Sequence, residues 1–338
     1  MSAPLATGAA LDSLAPGVAD AETAQEHGLI TLGRYLQASS YEFTTPTPAT
    51  HERVNRRAEN AWGTSVRDIL GWSRPFRRTP ATEELLSLLI GAGAVAPHLD
   101  GWRSTVRAST LDHQVMFHSA YPTVESDAVF FGPDTYRFVR ALRPELTGLA
   151  AAASYGRAVE IGCGAGPAAI AIARSCPRAQ VLAADINRKA LDLTAINAEL
   201  AVATNLRACY SDLLDDVEGR FDLIVANPPY LLDPDARTYR HGGGDLGAGL
   251  SLRIVEQSME RLTPGGKLVL YTGVAIVDGH DPFRAAAVTL LEHAGLPWRY
   301  EELDPDVFGE ELDTPAYRRA DRIAAVLLVA TRPPGPCP

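Results

Sequence analysis

The chain has 338 residues, 46% of them hydrophobic and 21% charged, which suits one large domain with a smaller companion, or two domains, and excludes a disordered or fibrous protein. A formal net charge of −10 argues against a general affinity for nucleic acid or for membrane surfaces. Lys189 and Lys267 are the only lysines, so arginine carries nearly all the positive charge.

Cys163, Cys176, Cys209 and Cys337 include no C-x-x-C pair and have no histidine set beside them, so no metal site is expected. Cys163 and Cys176 stand in apolar surroundings and read as small core residues of a reducing compartment. No basic segment leading into a long apolar run is found, so a cytoplasmic protein without a membrane span is expected.

Residues 1–20 are rich in Ala, Gly, Ser and Pro and are expected to be disordered. Asp20 can cap a helix with Leu29, Leu32 and Leu36 on one stripe, broken by the Thr/Pro stretch Thr44–Pro48. Arg53, Arg56, Arg57, Arg67, Arg74, Arg77 and Arg78 follow; they read first as a solvated helical face and second as a docking surface for an anion. Thr79-Pro80 opens a buried leucine-rich helix that stops at Gly91-Ala92-Gly93. Two alternating runs, Trp102–Ala108 and Gln114–His118, predict a hairpin turning at Leu111-Asp112-His113. Helix followed by hairpin is similar in element order to half of a winged-helix unit. Residues 21–125 are therefore expected to form an α+β accessory domain for substrate recognition, and 126–334 a second domain.

From Arg157 onward strands and helices alternate, which predicts a doubly wound α/β domain of Rossmann-like, mostly parallel design. Its seven expected strands are 158–161, 181–184, 206–210, 221–226, 267–271, 298–303 and 323–330. The last two lack a crossover helix between them, so they are expected to be antiparallel neighbours, with the final strand antiparallel to the sheet.

Chemistry collects at the strand ends. After the first strand comes Glu160-Ile161-Gly162-Cys163-Gly164-Ala165-Gly166-Pro167. The glycines permit positive φ and close ligand approach, but Pro167 replaces the last glycine of the dinucleotide pattern. Asp185 ends the second strand, where a carboxylate can accept both hydroxyls of a ribose. Asp212 follows the third strand, within reach of an exocyclic adenine amine. After the fourth strand stands Asn227-Pro228-Pro229-Tyr230. Two prolines cannot extend a central strand, so Asn227 is left at the carboxyl end of the sheet, where ligands bind. Each residue alone is an ordinary strand-end acid or strand-stop turn; four in register point to a site.

The glycine turn, Asp185, Asp212 and Asn227-Pro228-Pro229-Tyr230 together resemble the class I S-adenosylmethionine-dependent methyltransferases, and within them the release-factor glutamine N-methyltransferases. Phe131-Gly132-Pro133-Asp134-Thr135 is similar to that family's Pro-x-Pro-x-Thr segment, with Gly132 where the family has arginine. Gly242-Gly243-Gly244-Asp245 with Leu250 is similar to its glycine-rich loop. The resemblance covers about residues 128–331. It implies S-adenosyl-L-methionine as cofactor, held by Glu160, Gly162, Cys163, Gly164, Gly166, Asp185, Ile186, Asp212, Leu213 and Asn227, with Phe131 and Thr135 covering it. It implies that the Asn227 carboxamide and the Pro228 carbonyl accept the N–H groups of the methyl acceptor, with Tyr230 stacking on its planar group. The expected function is N-methylation of an amide or amine of a protein or small metabolite. A nucleic-acid exocyclic amine is the alternative acceptor, and a non-catalytic S-adenosylmethionine-binding module the alternative of another class. The loop 233–249, with His241 and Asp245, has the glycine content of a hinged lid.

Overall fold

The structure, a computed structural model, describes residues 18–151, 156–233, 235, 237 and 239–335. Most of the stretch expected to be disordered, 1–17, and Cys337 lie outside the described residues. Val18 is already helical.

The first helix, α1 (Val18–Ala38), buries Leu29, Leu32 and Leu36 along one stripe. The Thr/Pro stretch that ends its apolar pattern also starts α2 (Pro48–Asn55). Thr47 Oγ1 accepts from Thr50 N at 3.2 Å and Pro48 occupies the first turn, so the same residues act as a stop and a start. The arginine-dense segment is not one continuous helical face. It breaks into α2 and two short turns at 58–60 and 67–71. Several of its arginines are paired with acids: Arg56 with Glu52 at 2.6 Å, Arg74 with Asp68 at 2.5 Å, Arg77 with Asp100 at 2.8 Å and Arg78 with Glu83 at 2.7 Å.

After α3 (Glu83–Gly91) come two hairpins where the sequence predicts one. β1 (Val95–His98) pairs with β2 (Gly101–Ser104), and β3 (Val106–Leu111) with β4 (Gln114–Ser119). The expected strand Trp102–Ala108 is broken at exposed Thr105, between β2 and β3. Pro97 hides β1 from its pattern, because proline is tolerated only where no ladder N–H is needed, and β1 has a partner on one side alone.

The second half follows as α4 (Pro133–Ala151), β5 (Arg157–Ile161), α5 (Pro167–Ser175), β6 (Gln180–Asp185), α6 (Arg188–Leu200), β7 (Leu206–Tyr210), β8 (Phe221–Ala226), α7 (Gly249–Arg261), β9 (Leu262–Ile276), α8 (Pro282–His293), β10 (Trp298–Asp304) and β11 (Arg322–Thr331). The seven-stranded sheet has the order β10-β11-β9-β8-β5-β6-β7. β5 to β9 run parallel, and β11 is antiparallel to both β9 and β10. The strand order reverses between β5 and β8, where an open α/β sheet leaves its crevice. β8 ends at Ala226, before the two prolines.

β9 runs well past its expected end at Tyr271, through Gly273. That glycine is not punctuation: a Cβ there would lie 2.2 Å from the Tyr230 ring. The amino-terminal elements share the main core with the sheet's helices. Asn197 of α6 accepts from Phe117 N at 2.8 Å and donates to Phe117 O at 3.0 Å. A Cβ on Gly33 of α1 would fall 2.4 Å from Leu200 of α6. The buried apolar cluster runs without a break from Leu29 to Val329. No helix of the described residues is long and apolar enough to cross a membrane.

Candidate functional site

The carboxyl ends of β5, β6 and β8 open into a cleft of about 430 Å³. That volume falls in the range of small-molecule sites, roughly 300–1,000 Å³. One wall is the glycine turn. Gly162, Gly164 and Gly166 have φ of +67°, +54° and +77°, a region side chains rarely adopt. Gly162 N and Cys163 N donate to Ala184 O at 2.8 and 3.1 Å, tying the turn to the end of β6.

Three expected cofactor contacts lie behind this wall, outside the cleft lining. Glu160 is buried and its Oε2 accepts from Ala169 N at 2.7 Å, in the first turn of α5. Burial pushes its carboxyl up to about 8, against the pull of the Ala169 and Ala168 amides. Cys163 Sγ faces Thr194 Oγ1 at 3.5 Å, and burial raises its thiol far above the usual range. At Gly166 a Cβ would meet Thr194 at 2.8 Å. These residues shape the turn rather than line the cleft.

Asp185 does line the cleft. Its two oxygens accept from Gly164 N and Asn187 N, each at 2.9 Å, which fixes the carboxylate while leaving further lone pairs available. Burial raises its pKa, with those amides opposing. Gly162, Gly164, Ile186, Asp212, Leu213 and Thr135 also line the cleft. Ile186 is 46% exposed there, an apolar surface with no protein cover. Asp212 sits 3.7 Å from Arg253.

The floor is Asn227, Pro228, Pro229 and Tyr230. Tyr230 is buried; its hydroxyl donates to Asp134 Oδ2 at 2.8 Å, and Tyr271 donates to Asp134 Oδ1 at 2.7 Å. Arg137 reaches the same carboxylate at 3.1 Å. Burial, with Asp134 beside it, pushes both phenols far up, so they stay donors. One side of the Tyr230 ring is closed by Gly273, and Phe308 stands edge-on at 5.8 Å and 70°. The ring is thus wedged in place and is not a free stacking face. In contrast, the half-buried Asn227 side chain makes no hydrogen bond among the described residues, and neither does the Pro228 carbonyl.

The aromatic cover differs by one residue from the expected one. Phe131 turns inward, stacked on His118 at 5.0 Å and 18°, and Phe130 faces the cleft instead. A Cβ at Gly132 would lie 2.6 Å from the Phe130 ring, so the glycine is what lets Phe130 fold across. In an extended segment 130 and 132 share a side, and that alternation was the available signal. Phe130 stacks on Tyr239 at 6.0 Å and 14°, and the Tyr239 hydroxyl donates to Thr123 O at 2.8 Å. Arg240, paired with Glu311, and Phe308 complete the mouth. Nothing in the local sequence marked these residues, because they arrive from separate loops.

The expected hinge is clamped. Gly242 N donates to Leu231 O and Leu250 N to Gly242 O, both at 2.8 Å. A Cβ on Gly242 would strike Gly247 O at 2.1 Å, and one on Gly247 would strike Tyr230 O at 2.1 Å. The glycines are close-packing positions beneath Tyr230. His241 is exposed, its Nδ1 accepts from Asp233 N at 3.2 Å, and it does not line the cleft. Among the described residues no cluster suited to a metal ion occurs.

This sheet order and glycine turn define a Rossmann-like α/β domain with the strand-end Asn-Pro-Pro-Tyr at the mouth of its crevice. Residues 146–275 match the family model described as Methyltransferase small domain. The chain is also similar to proteins named release factor glutamine methyltransferase. The one from Rhodopirellula baltica is 30% identical over 194 residues, 53% of this chain and 62% of that protein. The one from Xylella fastidiosa is 38% identical over 158 residues, 43% of this chain and 54% of that protein. The chain spans less than two thirds of the length of these curated relatives. A solved tRNA m1G37 methyltransferase from M. jannaschii is 16% identical, with a TM-score of 0.47, over 71% of this chain and 60% of that one.

Proposed function

We propose that the protein is an S-adenosylmethionine-dependent methyltransferase that N-methylates a glutamine side-chain amide of a protein, a release factor being the candidate acceptor. One observation carries the reading: Asn227 holds an uncommitted carboxamide at the floor of the cleft, beside an uncommitted Pro228 carbonyl and across from Asp185. Both names come from the relatives; the acceptor grip comes from the geometry.

The residues present fit the cofactor. Asp185 offers a fixed carboxylate for a ribose diol, Ile186 and Leu213 offer apolar surface for a flat base, and Asp212 offers an acceptor for its amine. Bound there, S-adenosylmethionine supplies an activated methyl group. The chain's own part is positioning. An amide nitrogen has a delocalised lone pair, and two carbonyl acceptors holding its N–H groups favour a pyramidal nitrogen and the positive charge that develops on it. Pro228 and Pro229 fix both acceptors before the substrate arrives. Tyr230, wedged by Gly273 and tethered to Asp134, holds the floor in place. Phe130 and Tyr239 exclude water from one side of the mouth.

Residues 21–125 contribute Pro48 to the cleft rim, and with their paired arginines they favour a protein acceptor over a nucleic-acid backbone. The test is a methyl-transfer screen with labelled cofactor over cell extract split into protein, nucleic acid and small-molecule fractions. Label is expected in the protein fraction; label confined to either of the others contradicts the reading.

A further inference from the structure

The arginines between residues 53 and 78 are of two kinds. Arg56, Arg74, Arg77 and Arg78 are ion-paired. Arg53, Arg57 and Arg67 are exposed and, among the described residues, have no acid partner. Of the acids in the same stretch, Glu52 and Asp68 are already paired, which leaves Glu59 alone to balance them. Lone exposed arginines add little to folding stability, so stability does not explain a local positive surplus on a chain of net charge −10.

Arg53 stands on α2 and Arg57 just past its end. The inner side of α2 packs on the protein: His51 is buried with its ring 5.6 Å from Trp72, and Asn55 donates to Trp72 O at 2.8 Å. Arg74 reaches back to Asn55 Oδ1 at 2.9 Å. Burial lowers the Arg74 pKa, Asp68 opposes, and Arg57 is near enough to add to the lowering. Half-buried Arg103 donates to Ser73 O at 3.4 Å. Beneath them Arg107 is 4% exposed and without an ion pair among the described residues; burial brings its guanidinium down to about 10, so it remains cationic near pH 7. His51 is held neutral, down to about 3, by burial and then by Arg107. Charges of one sign therefore gather around α2, and their field points outward. This face is continuous with the cleft. α2 begins at Pro48, which lines the cleft, and the Tyr121 ring lies 4.0 Å from His51. Two residues further on, Thr123 O accepts from Tyr239 of the mouth at 2.8 Å.

We propose that this face docks an acidic segment of the methyl-acceptor protein, laid along α2 so that the reacting amide enters the cleft past Pro48. The proposal rests on the reading of the protein as a methyltransferase of proteins. A few unpaired guanidinium groups suit a short run of carboxylates, which they bind through charge-assisted hydrogen bonds. A nucleic acid fits the face less well, because its evenly charged backbone extends beyond the patch and is repelled by the acidic remainder of the chain.

The experiment is fluorescence anisotropy of a labelled decaglutamate peptide titrated with the full chain, beside decalysine and decauridylate carrying the same label. Decaglutamate is expected to bind saturably and less tightly as salt rises. The double variant Arg53→Glu with Arg57→Glu should weaken that binding on the order of tenfold, and Arg53→Gln with Arg57→Gln by less. A Tm and a calorimetric S-adenosylmethionine affinity equal to those of the parent show that each variant keeps its fold. The proposal is overturned if decaglutamate does not bind, if the folded variants bind it as the parent does, if decalysine binds as well, or if decauridylate binds more tightly, which would give the face to nucleic acid. Peptide binding needs no cofactor, so it can fail while methyl transfer into protein stands, and the reverse. Decaglutamate should also raise the acceptor KM of methyl transfer into the protein fraction and leave kcat unchanged; binding without that competition overturns the acceptor as occupant.

Discussion

The two halves of the cleft are built differently. On the Asp185 side the polar groups are spent on the backbone: Asp185 on Gly164 and Asn187, and Glu160 behind it on Ala169. On the Asn227 side the floor is rigid but its acceptors are unspent, with Tyr230 tied down by Asp134 and Gly273. The first half is a preformed cradle, and the second is a pair of aimed acceptors awaiting a donor. This asymmetry suits a reaction in which one ligand is always the same and the other must be reoriented.

Substitutions can break the comparison from either side. Asn227→Ala should lower kcat on the order of 10²- to 10³-fold while cofactor affinity stays within a few-fold, since the loss is of a preorganised transition-state partner. Asn227→Asp still accepts a hydrogen bond and should retain more activity than Ala. Normal turnover in the Ala variant would move the grip elsewhere. Asp185→Ala acts on the other half: it should weaken S-adenosylmethionine by about 2 kcal/mol, roughly 30-fold in Kd, read by calorimetry. An unchanged affinity would remove the ribose assignment.

Tyr230→Phe should cost about 1–2 kcal/mol of stability, because Asp134 loses one of its two phenol donors in a buried setting. A denaturant midpoint equal to that of the parent would show that Tyr271 and Arg137 suffice. The smallest effect belongs to Glu160→Gln. The folded pKa of Glu160, about 8, stands above its ordinary 4.5, so the stability its proton contributes is complete below about 4.5 and is lost as pH rises through about 8. The Tm of the Gln variant relative to wild type should therefore climb between about pH 4.5 and 8 and level off above that. A flat difference would mean that the α5 amides hold Glu160 as an anion throughout.

The same contrast explains what was legible in the sequence. The cradle is local: glycine spacing, a strand and a terminal acid lie within a few residues of one another, so Asp185, Gly162 and Gly164 could be placed in advance. The sheet was legible for the same reason, because each strand carries its own apolar run. Glu160 lies behind the turn rather than in the crevice, because a residue near a strand end faces either the crevice or the helix behind it, and residue type does not say which; Cys163 is the small core residue its apolar surroundings suggest. The mouth was not legible. Phe130, Tyr239 with Arg240, and Phe308 converge from three loops, and only tertiary packing brings them together. Gly242 and Gly247 read as hinge glycines, although both make room for the Tyr230 backbone, as Gly273 does for its ring.

The central claim is that the Asn227 side of the cleft grips an amide nitrogen. The most direct measurement is to incubate the full chain with a purified release factor and S-adenosylmethionine carrying a deuterated methyl group, and to map the label by fragment mass spectrometry. The account predicts a single methyl on the side-chain nitrogen of a glutamine; a methyl on another atom, or an unlabelled release factor beside a labelled nucleic acid, would contradict it.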